Sequence, residues 1–257
     1  MKLSLFSLEG KSALITGGNG GIGRAIALEL RDAGAFVTVT GRNEKKNSAI
    51  AEVLGKSGAV ISLDVREEEA VEKTMATVID KFGRLDILVN NAGLFKGGSV
   101  LDLTRKDWDA VIETHLTGSF LCAKHAARMM IKGGAGGKII NIGSAYSTFG
   151  PPDFSDYATA KTGILGLTRA LAVELAIHNI QVNAILPGWF ETELTSGMPK
   201  SDAGEEIRCK TPAGRWGNLD DLIGTAVYLS SAASDFVTGT CIPVDGGYAV
   251  ADRKLHE

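Results

Sequence analysis

The sequence predicts an α/β fold: an open, doubly wound, mostly parallel sheet of Rossmann type, in one domain with a lid-like insertion after the sixth strand. Three observations lead there. Short runs rich in Val, Ile and Leu recur along the 257 residues, longer helix-like stretches follow them, and glycines cluster beside the runs. Near-continuous apolar runs suit a parallel sheet covered on both faces, and alternating strands and helices mean βαβ units with right-handed crossovers.

In chain order, Ser12–Thr16 is the first strand and 22–33 the helix after it. Strands at 35–40, 60–65 and 86–90 lead to helices at 44–54, 67–82 and 104–131. The strand at 138–142 leads to a helix over 156–178, where Ile164, Leu167, Leu171 and Leu175 recur at helical spacing. A sixth strand covers 181–185. Residues 186–218 then break the rhythm, rich in Gly, Pro and polar side chains. A connection that long in a compact domain is usually functional, and it leaves the carboxyl edge of the sheet, where ligands bind in such folds. It reads as a lid. A helix near 219–230 and a strand near 240–244 complete a single domain over 1–257, with no internal repeat and no linker.

Composition excludes several classes. The formal net charge of −3 gives no broad pull toward nucleic acid or anionic membranes. No stretch reaches the ~20 apolar residues that span a bilayer. The first residues, MKLSLFSLEGK, lack the long apolar core of a secretory segment, so the expected location is the cytoplasm. Cys122, Cys209 and Cys241 are scattered, which suits free thiols and no metal site.

The first strand runs into GGNGGIG and then a helix. Glycines there let the backbone close on a pyrophosphate, and a helix N-terminus presents free N–H groups. Two registers fit, Gly18-x-Gly20-x-x-Gly23 and Gly17-x-x-x-Gly21-x-Gly23. Further on, Tyr157 and Lys161 stand four apart in YATAK and so share a helix face, and Ser144 lies just past the fifth strand.

Together these segments resemble the short-chain dehydrogenase/reductases. Thr16-Gly17-x-x-x-Gly21-Ile22-Gly23 is similar to that family's cofactor motif and selects the second register. Asn90-Asn91-Ala92-Gly93, the Ser144/Tyr157/Lys161 pattern, Pro187-Gly188 and Val244-Asp245-Gly246-Gly247 match in order and spacing, over about residues 8–250. The resemblance implies a nicotinamide cofactor held by Gly17, Asn19, Gly21, Ile22 and Gly23, with Asn91, Ala92 and Gly93 beside it. It places Asp64 and Val65 at the adenine ring, although Asp64 could instead cap the next helix. Pro187, Gly188 and Thr192 fall at the nicotinamide end, where Thr192 either bonds the carboxamide or shapes a turn.

NAD enzymes usually place an acid at the end of the second strand. Here Val39-Thr40-Gly41-Arg42-Asn43 has none and carries an arginine, which suits a 2′-phosphate; the other reading is a solvated arginine at a helix start. NADP(H) is therefore favoured and NAD(H) possible.

In this reading Tyr157 gives a proton to the forming alkoxide, or takes one in oxidation. A nearby ammonium and the nicotinamide cation lower its pKa. Lys161 also holds the nicotinamide ribose, and Ser144 hydrogen-bonds the substrate oxygen. His115 departs from the family: many members carry asparagine in a helix pattern like N-L-x-G-x-F, where this chain has His115-Leu116-Thr117-Gly118-Ser119-Phe120. Histidine either keeps a proton relay with its own pH profile, since it titrates near neutrality, or simply packs. His125 and His178 read as surface or helix-end residues.

Trp189, Phe190 and Trp216 line the pocket or pack the lid. The stretches PGWFETELT and TPAGRWGNLDDLIG resemble sugar-acid members of the family such as gluconate 5-dehydrogenases. A sugar acid or polyol is thus the expected ketone or alcohol substrate, with Lys96, Lys200, Lys210 and Arg215 as candidate anion contacts. The alternatives are a 3-oxoacyl thioester or another ketone, and a non-catalytic nucleotide-binding protein. In the family, long helices like those at 104–131 and 156–178 pack pairwise between subunits and the VDGG strand joins a second interface, so the resemblance implies a homotetramer.

Overall fold

Strand β1 (Ser12–Thr16) is buried along its whole length, as an apolar run between two helical layers must be. The structure, a computed structural model, describes residues 3–193 and 195–256; Met1, Lys2 and Glu257 at the ends of the expected domain, and Leu194 in the lid, lie outside the described residues. β1 is joined by β2 (Phe36–Gly41), β3 (Gly58–Ser62), β4 (Ile87–Asn90), β5 (Gly137–Ile142), β6 (Ile180–Pro187) and β7 (Cys241–Val244). They form one sheet in the order β3-β2-β1-β4-β5-β6-β7, with every pairing parallel. The winding direction reverses between β1 and β4, which pair through Ile15 and Val89. Such a reversal opens a crevice beyond the carboxyl ends of the strands.

Helices α1 (Gly21–Asp32), α2 (Glu44–Leu54) and α8 (Asp220–Ser230) cover one face. Ile26, Leu30, Ile50, Leu222 and Leu229 pack there on Ile15, Val37 and Ile185. The other face carries α3 (Glu68–Phe82), α5 (Gly118–Gly133) and α6 (Ser155–Leu175), with Met75, Cys122 and Leu175 against Leu14, Leu88 and Val182. No helix among the described residues is long and apolar enough to cross a membrane.

Four departures from the expected elements bear on function. The single helix expected over 104–131 is two, α4 (Arg105–Ile112) and α5, joined by a π turn at Glu113–Thr117. A π turn inserts an extra residue into the helical ladder and re-aims the side chains around it. Strand β3 ends at Ser62 rather than residue 65, because the chain turns at Asp64, whose carbonyl accepts from Glu67 N at 3.2 Å. The 186–218 segment holds a helix of its own, α7 (Asp202–Lys210), capped by Ser201 Oγ on Gly204 N, with acids in its first turn and bases in its last. His125 is not at the surface: α5 packs on α3, and its buried ring sits 3.1 Å from Glu68 Oε1. The three cysteines are free thiols.

Candidate active site

The turn after β1 runs through Gly17 (φ +63°) and Gly21 (φ +51°), backbone angles that side chains rarely adopt. Gly18 and Gly20 are not among the positive-φ glycines, so the conformation favours the Gly17/Gly21/Gly23 register. A Cβ on Gly17 would stand 2.9 Å from Ala92 Cα. The segment after β4 braces this turn. Asn91 Nδ2 donates to the Thr16 and Gly17 carbonyls at 3.0 and 3.1 Å, and the Asn91 and Ala92 amides donate to Thr16 Oγ1. Gly23 serves that packing, since a Cβ there would lie 2.3 Å from Asn91 Nδ2. Asn19 is fixed by donating to Asn47 Oδ1 at 2.7 Å. Helix α1 then begins at Gly20 with no side-chain cap and no acid in its first turn, leaving its N-terminal amides directed at whatever occupies the crevice. A dinucleotide pyrophosphate fits that glycine cradle in size and charge.

The crevice is a cavity of about 430 Å³. It brings together Gly17, Asn19, Gly21, Ile22, Asn91, Gly93, His115, Ser144, Tyr157, Lys161, Pro187, Gly188 and Thr192, contributed by the ends of β1, β4, β5 and β6, the π turn, α6 and the lid. Gly23, Arg42, Asp64, Val65, Ala92 and Trp216 are not on its wall. Val65 is buried against Gly118. Trp216 packs behind the wall on Trp189 and donates from Nε1 to Gly204 O at 3.0 Å, pinning α7; Trp189 and Phe190 do line the cavity.

At the end of β2, Arg42 is half-exposed and reaches Asp64 Oδ2 at 3.4 Å. Asp64 does not cap α3. Its carboxylate binds Arg66 at 2.7 and 3.0 Å, which holds its pKa at about 2. Two guanidinium groups therefore flank one carboxylate at this corner, and Arg66 is the one the sequence reading missed.

Ser144 starts a tight turn after β5, and its Oγ accepts from Tyr146 N at 3.1 Å. Tyr157 and Lys161 come one turn apart in α6. Lys161 Nζ donates to Ile142 O at 2.6 Å and lies 5.6 Å from the centre of the Tyr157 ring. Complete burial brings the lysine down to about 7. Burial likewise pushes the Tyr157 phenol up to about 12, with the Ser144 hydroxyl pulling the other way. The chain's own groups thus do not lower the phenol pKa as the sequence suggested. The reason is that desolvation of the phenolate outweighs the hydrogen bond from Ser144.

His115, re-aimed by the π turn, is buried edge-on to Tyr157, with ring centroids 5.2 Å apart. Its Nε2 lies 2.7 Å from Leu94 O and 3.1 Å from Leu94 N, while Nδ1 has no protein partner. Burial first, and the Lys161 charge second, lower it to about 3. Titration near neutrality, expected from the residue type, is lost because the ring is packed away from water.

In the lid, Thr192 N donates to Thr195 Oγ1 at 3.0 Å, and Lys46 of α2 bridges to Glu193 at 2.5 Å. Sequence reading missed Lys46, a residue with no motif around it. The four candidate anion contacts do not reach the cavity. Lys96 pairs with Asp107, Arg215 pairs with Asp221, Lys210 sits 4.3 Å over the Tyr248 ring, and Lys200 lies outside the wall. Among the described residues no cluster could hold a metal ion.

A family model described as enoyl-(acyl carrier protein) reductase matches residues 17–249. The 2-dehydro-3-deoxy-D-gluconate 5-dehydrogenase of Escherichia coli strain K12 is 40% identical, over 96% of this chain and 99% of its own. The 3-oxoacyl-[acyl-carrier-protein] reductase of Vibrio harveyi is 38% identical, over 94% and 98%. The crystal structure of a gluconate 5-dehydrogenase from Burkholderia cenocepacia J2315, in complex with NADP and tartrate, superposes with a TM-score of 0.92 at 39% identity, over 98% of this chain and all of that one.

Proposed function

The chain belongs to the short-chain dehydrogenase/reductase family of oxidoreductases acting on CH–OH groups, and we propose that it transfers hydride between NADP(H) and a ketone or secondary alcohol. The observation that carries this reading is the convergence of Ser144, Tyr157 and Lys161 on one cavity wall, opposite the glycine turn and the uncapped start of α1.

The nicotinamide supplies the hydride chemistry. The protein's residues supply the proton and the positioning. Ser144 Oγ already accepts from Tyr146 N, so its own hydrogen is available to the substrate oxygen. Tyr157, held as neutral phenol, has a proton to give when that oxygen becomes an alkoxide. In the oxidative direction it must lose that proton, which a charged Lys161 favours. Ile142 O keeps the lysine head on this axis. His115 stays neutral and packs against Tyr157, presenting Nδ1 as a fixed polar atom.

Arg42 and Arg66, with no acid at the end of β2, support the 2′-phosphate and hence NADP over NAD; Asp64 and Val65 stand nearby for the adenine. Pro187, Gly188 and Thr192 border the nicotinamide end. Both roles fall within one domain, the 186–218 segment acting as its lid. Sugar acids and polyols enter as candidate substrates through the Escherichia coli relative, and 3-oxoacyl thioesters through the Vibrio harveyi one. Three free thiols suit a reducing cytoplasm. Exposed Phe120 on α5, Val173 on α6 and Ile177 just after it, with Phe236 and Val250 beyond α8, support a homotetramer that covers them.

The test is NADPH oxidation, followed at the reduced-nicotinamide band, across ketogluconates, keto sugars, cyclic ketones and a 3-oxoacyl thioester. Turnover of any of them is the expected result. Tight NADPH binding with none turned over would favour a non-catalytic nucleotide-binding protein.

A further inference from the structure

The substrate end of the cavity is walled by rings. Phe95 is 40% exposed and meets Tyr157 edge-on, with centroids 5.4 Å apart and planes at 72°. Tyr146 lies 6.2 Å from Tyr157 and 5.9 Å from Trp189. Leu94 and Met198 also line the cavity.

A substrate carboxylate placed there would lose its water, and a cation is the partner that replaces that water best. Among the described residues only two cationic side chains line the cavity. Lys161 is occupied by Ile142 O beneath the reacting centre, and Lys46 is bonded to Glu193 at the far, lid-side rim. His115 is neutral, and Lys96, which follows Phe95 directly, turns away to Asp107. Aromatic faces without a free cation select for flat apolar surface.

We propose that the preferred substrate is an uncharged ketone or secondary alcohol that lays a ring or aliphatic face on Phe95, Tyr146 and Trp189, and that this wall disfavours the sugar acids among the candidates above. The proposal rests on the hydride-transfer reading above. It makes Phe95 a specificity-determining residue.

The experiment compares kcat/KM with saturating NADPH for 4-methylcyclohexanone and 4-oxocyclohexanecarboxylate, which match in ring and differ in charge, with 5-ketogluconate alongside. The neutral ring ketone is expected to be preferred by about tenfold or more over either acid. Equal or better turnover of either acid overturns the proposal and leaves hydride transfer standing. No turnover of any of the three, by a chain that still binds NADPH, overturns both. Phe95→Arg, which adds a cation on an exposed position, is expected to move the acid-to-neutral ratio about tenfold toward the acid. An unchanged ratio, with NADPH affinity intact, removes Phe95 from the specificity wall.

Discussion

A lysine head group taken wholly out of water loses hydration that one carbonyl does not replace, and Lys161 is in that position under Ile142 O. Its pKa falls from the ordinary 10.5 to about 7. Between those values the unfolded chain binds a proton that the folded chain does not. The contribution to stability is therefore lowest below pH 7 and grows as pH rises toward 10.5, by about 2 kcal/mol between pH 7 and pH 9. Urea unfolding at those two pH values should show this rise in the wild type and its loss in Lys161→Met; equal rises in both would contradict it. The spacing of Tyr157 and Lys161 made their shared helix face legible, because an i, i+4 pair needs no tertiary information. The direction in which Tyr157 titrates was not legible. Nor was the silence of His115, because both depend on how fully the lid, α6 and the π turn exclude water.

At the scale of elements, the corner where β2 and β3 end is the proposed 2′-phosphate site. Arg42→Ala removes one of two guanidinium groups and should weaken NADPH by roughly ten- to a hundredfold, while NADH changes little. Fluorescence titration with both nucleotides reads this, and equal losses would remove the phosphate role. Arg42 was legible because it follows a strand; Arg66 was not, because only the turn at Asp64 swings it beside Arg42. The central strands β1, β4, β5 and β6 were legible to within a residue or two, since burial on both faces leaves an apolar run with sharp ends, whereas the half-buried β3 was placed too far along the chain. Helix α7 was missed although Ser201, the acids behind it and the closing Arg208 and Lys210 are ordinary helix-end signals. Glycines and prolines on either side masked them. The π turn had no signal, since Glu113–Thr117 differs from helix only in its hydrogen-bond ladder.

For the whole molecule, the alternation of strands and helices implied a doubly wound sheet, but the strand order had to come from the structure: the reversal between β1 and β4 is set by which helix covers which face. Large apolar side chains remain exposed, among them Phe120 on α5, Val173 on α6, and Phe236 and Val250 beyond α8. Light scattering at micromolar concentration should give about four times the 27.0 kDa chain, and a monomer would defeat that assembly. The central claim is that Tyr157 delivers the proton to a ketone reduced in the cavity beside it. It is tested most directly by comparing wild type with Tyr157→Phe for steady-state NADPH oxidation on the ketone turned over best, with NADPH affinity measured in parallel. The account predicts a loss of kcat of at least about a hundredfold with affinity nearly unchanged. Wild-type turnover in the variant would show that the proton comes from another group.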